Sequence, residues 1–587
     1  MISRQTIFQG DRLPELESLI AAGRERARHV QAPAGTFLSH YNAESEAAYK
    51  REAMESGRIM QHAQIGFRDK QRSREAWAEI YESLQKRNVR VDRYGISFDW
   101  TMGLPRELRK SVPAGTGMLL DTPEDFLKLA DMAPVAPHFG DFIMGFPSAL
   151  ENTEAALLAG STSIGNLGQY FSFRLPDWDD DVATTTATVT ALALIAAQER
   201  EVLVHSNLDD GYGAIFTDVS SILGLAIIER YIIEDLLGAR ISHCWGHHFT
   251  DPMRRMAFHL ALSQVTSFPG TMVYGNTVGY RGNASENYAS LASYLLTDVQ
   301  GQRIKASGHA INPVPVTENV RIPDTDEIIE AQLFAARLIE HGGSYDGLIS
   351  PEAPAALAEE IMAGGRRFHA NVMRGLEEAG VDTRNAFEML LAIKRIGGKR
   401  LEQHWGAGVS DETAPRGRRA VVEASFVEEL ATLARDRAER IEAGARSKVQ
   451  KLKPKLMVAT TDVHEHGKMA LEQVFRTIGI QLMDGGVSVD ADDLADAVQS
   501  DAPDAILVSS YNGIALDYFR ALAKALADRN LKTPILIGGR LNQVPQGSNT
   551  SLPVDVTDDL IREGAIVCRE IEDAVPALAA ALSGRSR

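Results

Sequence analysis

The sequence contains only two cysteines, Cys244 and Cys568, among its 587 residues. This number excludes a disulfide-stabilised scaffold and suits a reducing compartment. No apolar run approaches the roughly 20 residues that a membrane-spanning helix needs. The first residues also lack the apolar segment of a secretory signal. We therefore expect a cytoplasmic protein with no membrane partner.

Positive charge is also in short supply. Lys and Arg number 61 against 79 Asp and Glu, which gives a formal net charge of −18. Such an acidic balance argues against a nucleic-acid partner. Hydrophobic residues make up 44% of the chain, enough to form substantial cores, and its length exceeds that of one ordinary domain. We expect an enzyme of two or three folding units that forms a homodimer or a higher homo-oligomer.

Apolar runs alternate with helical segments along much of the chain, which predicts an α/β fold with a parallel sheet built from βα units. The runs include RYGISFD, DFIMGFP, EVLVHSN, GARISHCW, GTMVYGN and QRIKASG. Between them, DTPEDFLKLA predicts a helix that Thr122 caps and Pro123 begins. We predict a (β/α)8 TIM barrel over residues 93–350, preceded by a helical segment (1–92) and followed by a helical extension and linker (351–450).

Residues 451–587 show a second alternating pattern, in which five short strands are interleaved with helices. This pattern is typical of a flavodoxin-like, doubly wound fold, whose ligands bind at the carboxyl ends of the strands. The first predicted strand ends at the segment DVHEHG, residues 462–467. An imidazole at His464 can reach a ligand there, and the carboxylate of Asp462 can accept its Nδ1 proton and fix its tautomer.

Three motifs of this last domain resemble the cobalamin-binding family, whose signature is DxHxxG, then SxL, then GG. The corresponding segments here are DVHEHG, SSY and GG, with Tyr511 in place of the family's Leu. The resemblance implies a cobalamin-binding domain in which His464 is the lower ligand of the cobalt ion and Asp462 is its partner. It also implies four residues that line the channel for the nucleotide tail, Gly467, Ser509, Gly538 and Gly539. The alternative is a Rossmann-like domain with an incidental histidine, and His466 is interpreted as an exposed loop residue.

Short segments of the preceding region resemble adenosylcobalamin-dependent carbon-skeleton mutases. SFRLP, QRIKASGHAIN and AIKRIGGKRLEQHWGAG are similar to the large subunit of glutamate (methylaspartate) mutase, whereas GISFD and GTGMLLDTPEDFLKL are similar to acyl-CoA mutases. One chain that carries both parts also resembles 2-methyleneglutarate mutase. The resemblance implies radical 1,2-rearrangement of a small carboxylic acid, with adenosylcobalamin as the cofactor. Two alternatives remain: an acyl-CoA mutase of the methylmalonyl-CoA mutase type, and a corrinoid-binding carrier or sensor. In the first alternative, Gln64 would stand in place of the active-site tyrosine of those enzymes.

The same resemblance implies functional residues in the barrel. Lys305 matches a lysine that contacts the adenosyl ribose, and His309 stands where glutamate mutase has a ribose-binding glutamate. Arginines are expected to bind the substrate carboxylates, because a guanidinium makes two parallel charge-assisted bonds to a carboxylate. The candidates are Arg68, Arg106, Arg109, Arg174 and Arg281. Leu167 occupies the place of a carboxylate that recognises an amino group, which favours a substrate that lacks an α-amino group or holds it differently.

The segment HCWGHH, residues 243–248, suggests zinc by its composition. Adjacent residues of a strand point in opposite directions, however, so these side chains cannot all converge on one ion. We favour a polar cap over the corrin. His205 and Asp209-Asp210 are further candidates, because they follow a predicted strand at the end where barrel sites form.

Overall fold

A computed structural model describes residues 2–112, 115, 117–280, 283–319, 321–461, 466–511, 513–543 and 554–583. The chain divides into two compact units. Unit 1 comprises Met1–Ser172 and Asp180–Ser425, and unit 2 comprises Phe173–Asp179 and Phe426–Arg587. Of the helices that the structure describes, none is both long enough and apolar enough to cross a membrane.

Unit 1 is built on parallel strands that follow one another in chain order. The described strands form three sheets: β1 (His62–Ile65), β2 (Arg93–Ile96) and β3 (Ala136–His138); β4 (Ser163–Ile164), β5 (Leu203–Asn207) and β6 (Arg240–Cys244); and β7 (Met272–Val273) and β8 (Ala310–Ile311). Single parallel bridges join neighbouring sheets, between Phe139 and Ile164, Trp245 and Val273, and Gln61 and Ile311. Each strand therefore lies beside the next one in the chain, and β8 lies beside β1.

Helices separate these strands and continue beyond them. Their bounds are Arg4–Phe8, Leu16–Ala27, Thr36–Tyr41, Glu46–Glu55, Lys70–Gln85, Pro123–Ala130, Ala149–Leu158, Leu167–Ser172, Asp181–Ala196, Val219–Arg230, Pro252–Val265, Ala284–Ile304, Thr325–His341, Glu352–Glu378, Ala386–Ile396 and Gly398–Trp405. The predicted start of one helix is confirmed: Thr122 Oγ1 accepts a hydrogen bond from the backbone N of Asp125 (3.3 Å), and Pro123 is the first helical residue.

Two predicted strands of this unit are wrong. Residues 141–147 form turns, and the strand β3 lies just before them. Phe142 (φ 55°) and Gly145 (φ 87°) adopt the left-handed conformation there, which interrupts an extended chain. The segment QRIKASG is not a strand either, because the helix Ala284–Ile304 includes its first three residues.

The helix Glu46–Glu55 covers the amino ends of β7 and β8. It carries Lys50, a fully buried residue whose Nζ donates to the carbonyl oxygens of Gly270 (2.9 Å), Thr271 (2.8 Å) and Gly308 (2.9 Å). Burial lowers the pKa of Lys50 to about 8, although the carboxylate of Glu46 opposes the shift. The three carbonyls lie just before β7 and β8, so one ammonium donates to three buried acceptors at once; Thr271 O also accepts from the backbone N of Ala310 (3.1 Å).

Unit 2 contains a five-stranded parallel sheet, as predicted. Its described strands are β9 (Leu456–Thr460), β10 (Leu482–Asp484), β11 (Ala505–Ser510), β12 (Ile535–Gly539), β13 (Asn542–Gln543), β14 (Val554–Asp555) and β15 (Ile566–Cys568). The sheet order is β10-β9-β11-β12-β15, and β13 pairs antiparallel with β14. This is the order of flavodoxin-like folds.

Helices pack on both faces of the sheet in unit 2. They are Ser425–Arg440, Ala443–Leu452, His466–Thr477, Ala491–Asp501, Ala515–Asp528, Thr557–Arg562 and Ala574–Ala581. One core contains Val449 and Phe475, and the other contains Leu494 and Phe519. Because both faces are covered, the strands are apolar along their length and their polar residues are confined to the carboxyl ends.

Candidate functional site

The carboxyl ends of three neighbouring strands in unit 2 form a crevice lined by small residues. Ser509 and Ser510, at the end of β11, lie opposite Gly538 and Gly539 of β12. On the other side, Thr461 follows β9, and its backbone N donates to Ser509 O (3.0 Å). Its Oγ1 also donates to Ser510 Oγ (3.2 Å). Hydroxyl groups and bare backbone therefore meet at the edge where sheets of this type bind ligands.

The glycines of this crevice are required by close contacts of the chain. A Cβ atom at Gly467 would lie 2.3 Å from Ser509 Oγ, and one at Gly538 would lie 2.8 Å from the carbonyl oxygen of Cys568. Gly539 has φ +95°, and a Cβ there would lie 2.3 Å from Ser510 O. A side chain at Gly538 or Gly539 would meet backbone atoms, and one at Gly467 would displace the hydroxyl of Ser509, so small residues keep this edge of the sheet clear of side chains.

The two residues that matter most to the cobalt prediction, Asp462 and His464, lie outside the described residues. The structure places four other predicted residues, Gly467, Ser509, Gly538 and Gly539, together around the crevice. The predicted roles of all six toward a cofactor stay predictions.

A lysine that the sequence analysis missed lies beside the crevice. Lys468 is fully buried in the first turn of the helix His466–Thr477, where a positive charge is unfavourable. Its Nζ lies 2.6 Å from Glu472 Oε1 and 3.0 Å from Asp484 Oδ1. Burial lowers the pKa of Lys468, but the two carboxylates outweigh burial and raise it overall. The four-residue spacing of Lys468 and Glu472 could have predicted this ion pair from the sequence, because residues at that spacing are neighbours on one face of a helix.

Unit 1 contains a cavity of about 640 Å³ near the carboxyl end of β1. It is lined by Arg68, Asp69, Lys70, Gln71, Arg74, Asp99, Gly117, Leu119, Asp121, Asp125 and Lys128. Lys70 is already paired, with Asp121 at 2.7 Å and Asp125 at 2.9 Å. Arg68 Nη1 is buried and has no hydrogen-bond partner among the described residues. Arg68 therefore offers a donor to an anion in the cavity.

The other candidate arginines differ from Arg68. Arg109 is buried, and its guanidinium donates to the carbonyl oxygens of Leu104, Met102 and Leu120 and to the side chains of Glu151 and Asn152. Its donors are thus used inside the protein, and it does not serve as a substrate-binding residue. Arg106 is half-buried, and its Nε is also buried without a hydrogen-bond partner among the described residues, but Arg106 does not line this cavity. Arg174 is exposed in the segment that belongs to unit 2, and Arg281 lies outside the described residues.

The structure places Lys305 and His309 at the amino end of β8, so their predicted position after a strand is wrong. Lys305 is exposed at the end of the helix Ala284–Ile304. His309 is buried, and its Nδ1 lies 2.7 Å from Ser307 Oγ. This position was predicted wrongly because QRIKASG was interpreted as a strand. If QRIKASG were a strand, His309 would lie just after its carboxyl end.

A pair of half-buried carboxyl groups, which the sequence analysis only partly anticipated, lies at the carboxyl ends of β3, β4 and β5. Asn166 Nδ2 donates to Asp210 Oδ2 (2.7 Å) and Asp141 Oδ1 (3.4 Å). Gln169 Nε2 donates to the same two oxygens, at 3.5 and 3.2 Å. Burial, and then the charge of Asp210, raises the pKa of Asp141 to about 7. Burial also raises the pKa of Asp210 to about 6.

The side chains of the segment HCWGHH have separate partners. His243 Nε2 lies 3.0 Å from Glu229 Oε2, and His248 Nδ1 lies 3.2 Å from Asp209 Oδ1. Asp209 also accepts a hydrogen bond from the backbone N of His247 (3.0 Å). Within the described ranges, no group of three or more His, Cys, Asp or Glu side chains is arranged to hold a metal ion.

The comparison with protein-family models agrees with the geometry of unit 2. Residues 453–578 match the family model of the B12 binding domain. Among solved structures, a cobalamin-binding protein from Desulfitobacterium hafniense DCB-2 is 23% identical to this chain, with a TM-score of 0.19. The match covers 23% of this chain and 66% of that protein, which is just under two thirds of its length. The methanol:cobalamin methyltransferase complex MtaBC from Methanosarcina barkeri is 17% identical, with 54% and 90% covered and a TM-score of 0.18. No curated protein matches the chain. The family match shows that the C-terminal part of this chain contains a B12-binding domain.

Proposed function

We propose that this protein is an adenosylcobalamin-dependent mutase that rearranges the carbon skeleton of a small carboxylic acid. The match of residues 453–578 to the B12 binding domain supports the cofactor. We also propose that the eight strands of unit 1 form one closed (β/α)8 barrel. The bridges between β3 and β4, β6 and β7, and β8 and β1 support this architecture.

The crevice of unit 2 fits a cofactor with a long polar tail. Its glycines leave no side chain in the way, and the hydroxyl groups of Ser509 and Ser510 offer hydrogen-bonding partners. His464 would bind the cobalt ion, and Asp462 would hold the Nδ1 proton of that imidazole. When bound, adenosylcobalamin supplies a carbon-centred radical, and the protein supplies binding and orientation.

The observation that carries the substrate proposal is the free donor of Arg68. A buried guanidinium N–H without a partner is costly unless a ligand or water accepts it. A carboxylate matches it best, because the planar fork of arginine makes two parallel charge-assisted bonds. We therefore assign Arg68 to the substrate carboxylate.

The carboxyl pair at the ends of β3 and β5 has a second role in this proposal. Because the pKa of Asp141 is about 7, its carboxyl group is protonated in about half of the molecules at neutral pH. It can then donate a hydrogen bond to a substrate oxygen, while Asp210 accepts one. Asn166 and Gln169 hold both groups in place.

Electron paramagnetic resonance on the purified protein with adenosylcobalamin tests the proposal. Candidate dicarboxylic acids and CoA thioesters are added one at a time, and nuclear magnetic resonance follows the products. We expect a cob(II)alamin and organic radical signal, and a rearranged product, with a free acid. Arg68→Gln should abolish both, whereas Arg28→Gln, at an exposed arginine of the same unit, should leave them unchanged.

Two outcomes would contradict this proposal. A radical that forms only with thioesters would identify an acyl-CoA mutase. Cobalamin binding without a radical for any candidate would leave only the cofactor part of the proposal and favour a corrinoid carrier or sensor.

A further inference from the structure

A buried asparagine at the carboxyl end of β8 has an amide that none of the described residues hydrogen-bonds. Asn312 directly follows β8 and is 0% exposed. Within the part of the chain that the structure describes, neither its Nδ2 nor its Oδ1 has a hydrogen-bond partner. Buried polar atoms without partners are rare in proteins, and each commonly marks a missing water or ligand.

The backbone around Asn312 is held firmly. The hydroxyl of Tyr294, from the helix Ala284–Ile304, donates to Asn312 O (3.2 Å) and accepts from the backbone N of Val314 (3.0 Å). Tyr280 Oη donates to Val314 O (2.7 Å), and Asn287 Nδ2 donates to Val316 O (2.9 Å). The backbone that carries the amide is therefore fixed by these four hydrogen bonds, which preorganises the position for a ligand.

Asn312 and Arg68 lie at the same edge of unit 1. The bridge between Gln61 and Ile311 places β8 beside β1, and both strands run in the same direction. Arg68 follows the carboxyl end of β1, and Asn312 follows the carboxyl end of β8. In the loop that Asn312 begins, Thr317 Oγ1 is also buried without a partner among the described residues. Three residues with buried polar atoms that lack partners, Arg68, Asn312 and Thr317, thus follow two neighbouring strand ends.

The chemistry of an amide limits what Asn312 can bind. Nδ2 donates and Oδ1 accepts, so a matching ligand group must offer an acceptor beside a donor. A second carboxylate would satisfy Nδ2 but would leave Oδ1 facing a negative charge. An ammonium group would satisfy Oδ1 only. A hydroxyl or a carboxamide satisfies both, and neither brings a charge to a site whose side chain is neutral.

We propose that Asn312 determines substrate specificity by binding a neutral hydroxyl or carboxamide of an acid whose carboxylate Arg68 binds. The proposal rests on the proposed function, because it takes Arg68 as the carboxylate-binding residue. If Asn312 has this role, the substrate carries one neutral polar group in addition to its carboxylate. Asn312 also replaces Lys305 and His309 as the contribution of β8 to the site.

Binding of three four-carbon acids to the full-length protein tests this proposal. Succinate has no neutral polar group, malate has a hydroxyl, and succinamate has a carboxamide. We expect malate or succinamate to bind at least about fivefold more tightly than succinate, because succinate leaves a buried amide unpaired. Isothermal titration and saturation-transfer nuclear magnetic resonance measure the affinities.

Variants of two equally buried asparagines separate recognition from stability. Asn312→Leu should remove the preference and leave succinate binding unchanged. Asn312→Ala removes both the donor and the acceptor with a smaller side chain, so it should also remove the preference, and it decides the matter if the leucine variant does not fold. Asn152→Ala is the matched control and should keep the preference, because Asn152 is also 0% exposed but its amide is hydrogen-bonded to Arg109, Met102 and Ser148.

The outcomes for Asn312 and for Arg68 are distinguishable. A preference that persists in Asn312→Leu and Asn312→Ala would overturn this inference, and so would equal affinity of the wild type for all three acids or no binding of any of them. Arg68→Gln should weaken all three acids alike. If it does not, the substrate part of the proposed function fails, whatever the Asn312 variants show.

Discussion

Acid should destabilise unit 1 strongly, because this unit buries uncharged histidines. His62, His138, His205, His259 and His309 are all buried. Burial is the main cause that lowers the pKa of each, to about 4 for His259 and well below the usual 6.5 for the others. The positive charge of Arg93 adds to the shift of the first three.

The size of the effect follows from proton linkage. An unfolded histidine takes up a proton as the pH falls through about 6.5, whereas the buried one stays neutral, so stability is complete above that pH and is lost below it. Between pH 7.5 and 5, each such histidine lowers the free energy of unfolding by about 2 kcal/mol, or about 10 kcal/mol for the five.

Two carboxyl groups act in the opposite direction. The raised pKa values of Asp141 (about 7) and Asp210 (about 6) mean that the folded protein takes up protons there before the unfolded chain does. Their protonation restores about 4 kcal/mol between pH 7.5 and 5. The net loss is then about 6 kcal/mol, comparable with the whole stability of many domains. It is an upper figure, because buried Asp298 and Glu402 also have raised pKa values.

Urea unfolding at pH 7.5 and at pH 5, followed by tryptophan fluorescence, measures this loss. Of the tryptophans, Trp77 and Trp245 are fully buried in unit 1 and report its unfolding. In His138→Asn, the difference between the two pH values should shrink by about 2 kcal/mol. His29→Asn, at an exposed histidine, should leave the difference unchanged. Equal stability at both pH values in the wild type would refute the reasoning.

Two further predictions concern unit 2. Gly539→Ala should lower the urea midpoint and weaken cobalamin binding, because Gly539 has φ +95° and an added Cβ would lie 2.3 Å from a carbonyl oxygen. Gly479→Ala is the control for backbone strain alone, because Gly479 has φ +79° but open space around it. Equal effects of the two substitutions would contradict the steric argument. The double change Glu472→Gln with Asp484→Asn should cost about 3–5 kcal/mol of unfolding free energy, because it leaves the ammonium of Lys468 buried and unpaired. Lys468→Met should lower the free energy of unfolding by less, because the two carboxylates that it leaves unpaired are partly exposed. A larger loss of unfolding free energy in Lys468→Met than in the double variant would show that the ion pair is not what stabilises this helix.

The predictions from sequence succeeded where local pattern decides the structure. The five strands of unit 2 are apolar, evenly spaced and separated by amphipathic helices, so their periodicity was clear. Thr122 and Pro123 mark a helix start by local hydrogen bonding and a fixed φ, which need no tertiary information. The family motifs in unit 2 likewise lie on strand ends that the alternation had already located.

The predictions failed where tertiary contacts decide. β1 is only four residues long (HAQI), has a polar residue at every second position and lies between polar helices, so nothing in its sequence resembles a buried strand. Asn312 could not be identified from the sequence, because its importance depends on what its amide lacks in the folded chain. Lys305 looked functional because a short motif matched, but a motif does not show at which end of a strand it lies.

The buried ammonium of Lys50 has a practical consequence for anyone who wishes to express unit 1 in shortened form. A fragment that starts near Arg93, where the pattern first suggests a barrel, would lack both β1 and this lysine. Three backbone oxygens would then lose the donor that Lys50 provides, and β2 would become an open edge available to other chains. The first 92 residues are therefore part of the sheet's own architecture, and removing them should yield aggregates instead of a smaller folded protein.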